Sequence, residues 1–224
     1  MPPTLVPAPI PSPAYVSQLF EVIVPGMGKD ARFHVSVAHV LLVFVRGARV
    51  QNTSWWRRVQ NRLVNMIVPG YVHVELAFEL VVRDGAHAGD HIYMKCGIVS
   101  GETLKMEIKQ YDISFYEMSR LRVDTPWQRD RLFAQCRADF FRGPAFNARG
   151  FWLNFVVPRA LQIDYGGERV FCSEYVVRAL RDSGVDDVEG LPAYATTPQM
   201  LHDSLRARNM FNGISGNLFT QIQV

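Results

Sequence analysis

The chain has 224 residues, 48% of them hydrophobic and 12% aromatic, enough to bury a sizeable core within one domain. Its formal net charge is only +3 and its Lys and Arg residues form no concentrated basic face, which argues against a nucleic-acid partner. No window reaches the roughly 18 uncharged apolar residues of a membrane span, and the opening segment lacks the basic start and unbroken apolar stretch of a secretory signal, so an intracellular, cytoplasmic protein is expected.

Six prolines lie within the first thirteen residues (Pro2, Pro3, Pro7, Pro9, Pro11 and Pro13). Proline fixes φ and removes a backbone donor, so residues 1–14 read as a proline-rich flexible arm and 15–224 as a single domain. From Phe33 to Arg46, "FHVSVAHVLLVFVR" is apolar and β-branched and stops at Gly47, which predicts a buried strand or a pair of them. In "NTSWWRRVQNRLVNMIVPG", Trp55, Trp56, Val59, Leu63 and Ile67 recur at helical spacing, Asn52 or Thr53 can cap the start, and Pro69-Gly70 ends the helix. Its apolar stripe belongs in the domain's own core; its tryptophans and arginines also suit a membrane surface, so peripheral membrane contact is the alternative.

Three segments follow, "YVHVELAFELVV", "HIYMKCGIV" and "TLKMEIKQY", separated by the turn-rich "RDGAHAGD" and "SGE". They predict an antiparallel meander. "DTPWQRDRLFAQCRADFFRG" then opens with Asp124 or Thr125 as cap and Pro126 at the first helical position, and closes on Gly143. Further helices are expected over "NARGFWLNF", from Cys172 to Arg181, and over "TPQMLHDSLRAR". Helices before and after a central antiparallel meander predict an α+β domain.

The three cysteines, Cys96, Cys136 and Cys172, are odd in number and widely spaced, which fits neither a disulfide framework nor a paired metal motif. They are expected to be free thiols, and no cofactor or metal is expected. Cys96 lies mid-strand and Cys136 inside a helix, where a free cysteine acts as a small core hydrophobe. Cys172 differs because "VFCSEYVVRAL" places it at a helix mouth. There the helix dipole and the unpaired backbone N–H groups lower a thiol pKa, and the same N–H groups can hold the negative oxygen of a tetrahedral intermediate.

A nucleophilic thiol needs a base. Among the six histidines, His73 fits best: on the strand after Pro69-Gly70 it alternates with Tyr71, Glu75 and Ala77 on one face, while Val72, Val74 and Leu76 point to the other. His34 and His39 fall in the first apolar strand and read as structural, His87 lies in a turn, and His202 on an amphipathic helix.

A histidine on a strand, then a meander, a helix and "CSE" at a helix start resembles the circularly permuted NlpC-type papain-like cysteine hydrolases, in particular the YaeF/YiiX group. Ordinary papain-like enzymes place cysteine before histidine; here the order is reversed, as permutation requires. The likeness spans roughly residues 37–202. "HVLLVFVRG" is similar to the family's opening strand, with His39 near the place of its aspartate. "PGYVHVEL" is similar to the strand that supplies the base, "FFRGPAFN" to the turn before the nucleophile helix, "FCSEYVVRAL" to the Cys-Ser-Glu segment, and "TTPQML" to a late threonine-proline turn. The resemblance implies a permuted papain-like fold, an antiparallel sheet packed against the nucleophile-bearing helix, in which Cys172 attacks a carbonyl and His73 moves the proton.

Two departures stand out. Glu75 replaces the glycine that usually follows the histidine by two residues, and the next strand offers His91, Tyr93, Lys95 or Cys96 where the family often has a glutamate to orient the histidine. Glu75 shares the face of His73 and is the candidate to take over that role; the competing reading is a solvated sheet-face carboxylate. The sequence thus leads to a metal-independent cysteine hydrolase or acyl transferase with Cys172, His73 and Glu75 as site residues. Its substrate would be a small molecule, lipid or peptide bearing an acyl group. A phospholipase or acyltransferase like the lecithin–retinol acyltransferase group shares the permuted order, but its Asn-Cys-Glu-His segment is lacking here. A scaffold that has lost activity and serves as a binding or structural protein is the third reading.

Overall fold

The computed structural model describes residues 16–24, 31–46, 70–112, 114–123, 125–156, 169–185 and 188–214. The arm expected over 1–14 and the helix expected over 52–70 lie outside the described residues, apart from Gly70. The described chain is mixed α+β, with one antiparallel sheet and four α-helices. None of these helices is long and apolar enough to cross a membrane.

Seven strands form the main sheet: β1 (Phe20–Val24), β2 (Ala31–Arg46), β3 (Tyr71–Val82), β4 (His91–Gly97), β5 (Lys105–Ile108), β6 (Tyr116–Leu121) and β9 (Phe211–Gly213). The order β5-β4-β3-β2-β6-β9 contains the expected meander, β3 to β5. The segment from Phe33 to Arg46 is one strand, not two. β2 runs for 16 residues because one edge pairs with β3 from Val35 to Arg46, while the other is shared between β1 at Ala31–Val35 and β6 at Leu41–Val45. One of two irregularities in the ladder with β3 falls between Val37 and His39 and leaves Ala38 without a partner residue.

The sheet buries both faces. Val40, Leu42 and Phe44 of β2 and Val74, Leu76, Phe78 and Leu80 of β3 share a core with the helices, while Leu41, Val43 and Ala77 join Tyr93, Tyr111 and Met118 on the opposite face. Double burial explains why β2 and β3 read as continuous apolar runs rather than strict alternations.

Four helices follow. In α1 (Pro126–Arg142), Thr125 is the cap: its hydroxyl accepts from Gln128 N–H at 3.2 Å, the Gln128 side chain accepts from Thr125 N–H at 3.3 Å, and Gly143 closes the helix in the left-handed region at φ 64°. Leu132, Phe133 and Cys136 form its buried stripe, with Phe133 set edge-on to Phe20 and Phe78. Two short strands, β7 (Ala145–Phe146) and β8 (Arg169–Val170), pair in parallel around α2 (Ala148–Val156). The last two helices are α3 (Cys172–Asp182) and α4 (Pro198–Ala207), the latter capped by Thr197, whose hydroxyl accepts from Met200 N–H at 3.2 Å.

Candidate active site

The β3–β4 ladder stops at Leu76 and Cys96, whereas β2 continues beside β3 as far as Tyr71. The first residues of β3 therefore lie beyond the reach of β4, and α3 begins against them. Cys172 is the first residue of α3, with Phe171 as N-cap. The backbone N–H groups of Val74 on β3 and of Ser173 on its own helix, and the His73 ring, lie near enough to its sulfur to favour the thiolate. Strand and helix thus bring together two side chains separated by 99 positions in the sequence, 172 less 73.

Local hydrogen bonds hold the first turn of α3 without using the thiol. Glu174 accepts from Phe171 N–H at 3.3 Å and from Arg178 Nη2 at 2.6 Å, and the buried Ser173 hydroxyl donates to Thr196 C=O at 2.6 Å. Entry into the helix is set by β8, whose Val170 C=O accepts from Asn147 N–H at 2.9 Å, so the "FFRGPAFN" turn steers the chain just before Cys172. The threonine-proline turn closes the other side through Thr196.

Glu75 is not a solvated carboxylate: it is 2% exposed. Its Oε2 lies 3.5 Å from His73 Nε2, while Oε1 accepts from Lys109 Nζ at 2.6 Å and from Tyr111 Oη at 3.0 Å. The sequence offers no signal for Lys109 and Tyr111, which come from the segment leaving β5. The alternatives on β4 are engaged elsewhere. His91 Nδ1 is 2.9 Å from Glu79, Tyr93 donates to Glu79 at 3.3 Å, Lys95 to Glu107 at 2.6 Å, and Cys96 lies 3.4 Å from Tyr175 Oη.

Tyr71 does not share the face of His73 as its spacing suggests. Val45 faces His73 but Arg46 faces Tyr71, so Val72 is an extra residue in β3 and the phase slips by one. The Tyr71 ring turns to the helix-side core, 5.1 Å from Phe44 and 4.7 Å from the buried His202 ring. His39 faces Glu79, six positions along β3 from His73, and takes no part in the site. His34 pairs with Asp84 at 2.5 Å on the surface, and His87 with Asp90 at 2.9 Å.

Charge complementarity overrides burial at His73, Cys172 and Glu75. Burial is the largest influence on His73 and pushes its pKa down, but the hydrogen bonds and charges of Cys172 and Glu75 outweigh it and carry the ring up to about 9. Burial likewise pushes the Cys172 thiol up, and the His73 hydrogen bond and charge, with the Val74 and Ser173 N–H groups, bring it below the ordinary thiol value. For Glu75, burial is outweighed by the His73 hydrogen bond and the Lys109 charge, and the carboxyl falls to about 2. A depressed thiol beside a raised imidazole shifts the balance toward the thiolate–imidazolium pair. Such a pair can attack an electrophilic carbon and deliver a proton to the group that leaves.

All three cysteines are free thiols. Among the described residues, no three His, Cys, Asp or Glu side chains group in a way that could hold a metal ion. No protein-family model, curated protein or solved structure matches this chain.

Proposed function

We propose that the protein is a cysteine hydrolase or acyl transferase, built on a permuted papain-like scaffold, that cleaves an amide or ester through an acyl-cysteine intermediate. The observation that carries this reading is the juxtaposition of the buried Cys172 thiol and the half-buried His73 ring at the mouth of α3. Cys172 thiolate attacks the carbonyl carbon, and the carbonyl π electrons move to oxygen. The resulting oxyanion is held by helix N-terminal N–H groups, that of Cys172 among them. With Nε2 turned toward Glu75, Nδ1 of His73 serves the sulfur side. His73 gives its proton to the departing amine or alcohol as the carbon–heteroatom bond breaks. It then takes a proton from water, or from another acyl acceptor, as that nucleophile attacks the thioester and the carbon–sulfur bond breaks. Glu75 keeps the ring oriented and its cationic form stable. A third member beside the histidine supports an active site over an inert scaffold.

The test is Cys172-dependent turnover. A panel of activated esters and amides of differing acyl length should show release by the wild-type chain and none above background by Cys172→Ala. Iodoacetamide should label Cys172 before Cys96 or Cys136, as read by peptide mass spectrometry. Equal labelling of Cys96 and Cys172 in the folded protein, or turnover that survives Cys172→Ala, would overturn the proposal.

A further inference from the structure

We propose that Lys109 and Tyr111 are positioning residues of this site, which, with the clearance provided by Gly97, divide the Glu75 carboxylate so that one oxygen is held by the sheet and the other is left to the His73 ring. The inference rests on the Cys172–His73 reading and deepens it, because it names the groups that set the charge the histidine feels.

The carboxylate has two oxygens and two kinds of neighbour. Oε1 accepts from both Lys109 Nζ at 2.6 Å and Tyr111 Oη at 3.0 Å; Oε2 faces His73 Nε2 at 3.5 Å. Two donors on one oxygen fix the plane and reach of the carboxylate, which a single flexible contact would not do. The donors are themselves fixed. Tyr111 is fully buried, with its ring edge-on to Tyr116 at 5.3 Å, and the Lys109 ammonium sits 4.9 Å from the Tyr111 ring centre and 4.6 Å from that of Tyr116. An ammonium caged by two aromatic faces and a carboxylate has little freedom to leave. The Glu75 side chain must also lie across β4, and Gly97 gives it room: a Cβ there would come within 2.9 Å of Glu75 Cβ and 3.4 Å of Oε2.

The electrostatic consequence follows from the signs. Glu75 favours the imidazolium form of His73, and Lys109, bound to the same carboxylate, offsets part of that effect. Lys109 therefore moderates how tightly His73 holds its proton. A ring that holds it too tightly is a poor general base in the deacylation half of the cycle.

The experiment follows the His73 ring proton by NMR across pH, assigned by its absence from His73→Ala, in folded wild-type, Lys109→Met, Lys109→Arg and Gly97→Ala proteins. Lys109→Met should raise the His73 titration by about 0.5–1 pH unit, because an opposing positive charge is gone. Lys109→Arg should restore most of the wild-type midpoint. Gly97→Ala alters no charge and should lower the midpoint, because the added methyl pushes the carboxylate from the ring. The alkaline limb of Cys172 alkylation should move in the same directions. Unchanged His73 midpoints in folded Lys109→Met and Gly97→Ala would overturn the inference, even with Cys172-dependent turnover intact. Midpoints that move as stated in a protein lacking turnover would uphold it and remove the hydrolase reading instead.

Discussion

Cys172 and Cys136 are both buried, at 3% and 0% exposure, yet their thiols are driven in opposite directions. Burial raises each. At Cys136, on the inner face of α1, the neighbours are mostly other acids: Cys96 adds to burial, the Tyr175 hydrogen bond does not offset the two, the Asp139 charge adds a little more, and the thiol rises well above its ordinary value. At Cys172 the neighbours are an imidazole and two backbone N–H groups, and the thiol falls. Low solvent access does not by itself make a cysteine inert. It amplifies whatever polar groups remain, so an environment of donors and positive charge favours a thiolate while one of thiols and hydroxyls forbids it.

The most severe way to break this contrast is to remove the imidazole. His73→Ala should lower Cys172-dependent turnover by about 10²–10⁴-fold, the usual worth of a positioned acid–base group. It should also move the pH midpoint of Cys172 alkylation up toward or past the value of about 8.5 for a free thiol, while Cys96 and Cys136 stay unreactive until the protein unfolds. Alkylation of Cys172 that is indifferent to His73 would show that the helix N-terminus alone sets its reactivity.

Glu75→Gln keeps the shape of the carboxylate and removes its charge. Because the contact to His73 is 3.5 Å, longer than an ideal charged hydrogen bond, turnover should fall by about 10–100-fold, less than when an acid holds a catalytic histidine tightly. The His73 midpoint should drop from about 9.

A third outcome concerns folding rather than chemistry. A carboxyl depressed to about 2 contributes stability that is present above its unfolded value of 4.5 and lost as pH falls toward 2. A histidine raised to about 9 contributes stability that is present below 6.5 and lost as pH rises through 9. Urea unfolding followed across pH should show both slopes in the wild-type chain. The acid slope should flatten in Glu75→Gln and the alkaline one in His73→Ala.

The smallest effect lies at the start of α1, the helix that carries the inert thiol. Thr125→Ala removes a hydroxyl cap and should cost about 1 kcal/mol of stability in denaturant unfolding. Turnover per folded molecule should not change. A loss of activity there would mean that α1 and α3 are coupled through the Cys96–Tyr175–Cys136 contacts, which would weaken the contrast between the two thiols.

Features that depend on a few neighbouring residues could be read from the sequence. Thr125-Pro126 and Thr197-Pro198 announce helix starts, Gly143 a helix end, and Gly70, "RDGAHAGD" and "SGE" the breaks of the meander, because caps and turns are satisfied locally. The placement of Cys172 at a helix mouth and of His73 and Glu75 on one strand face follows from the same short-range geometry. β6 and β9 are not announced in this way, since each is short and owes its pairing to a distant edge of β2 or β6, and the short β1 goes unannounced although it pairs with the start of β2 directly after it. The phase slip at Val72, which sends Tyr71 to the other face, arises from the β2 register and not from β3's own pattern. Only the fold could decide that Glu75 is buried, and that Lys109 and Tyr111, 34 and 36 residues further on, would hold it. Periodicity records which face a residue takes, whereas the partners that set its charge arrive from strands whose register is fixed only when the sheet closes.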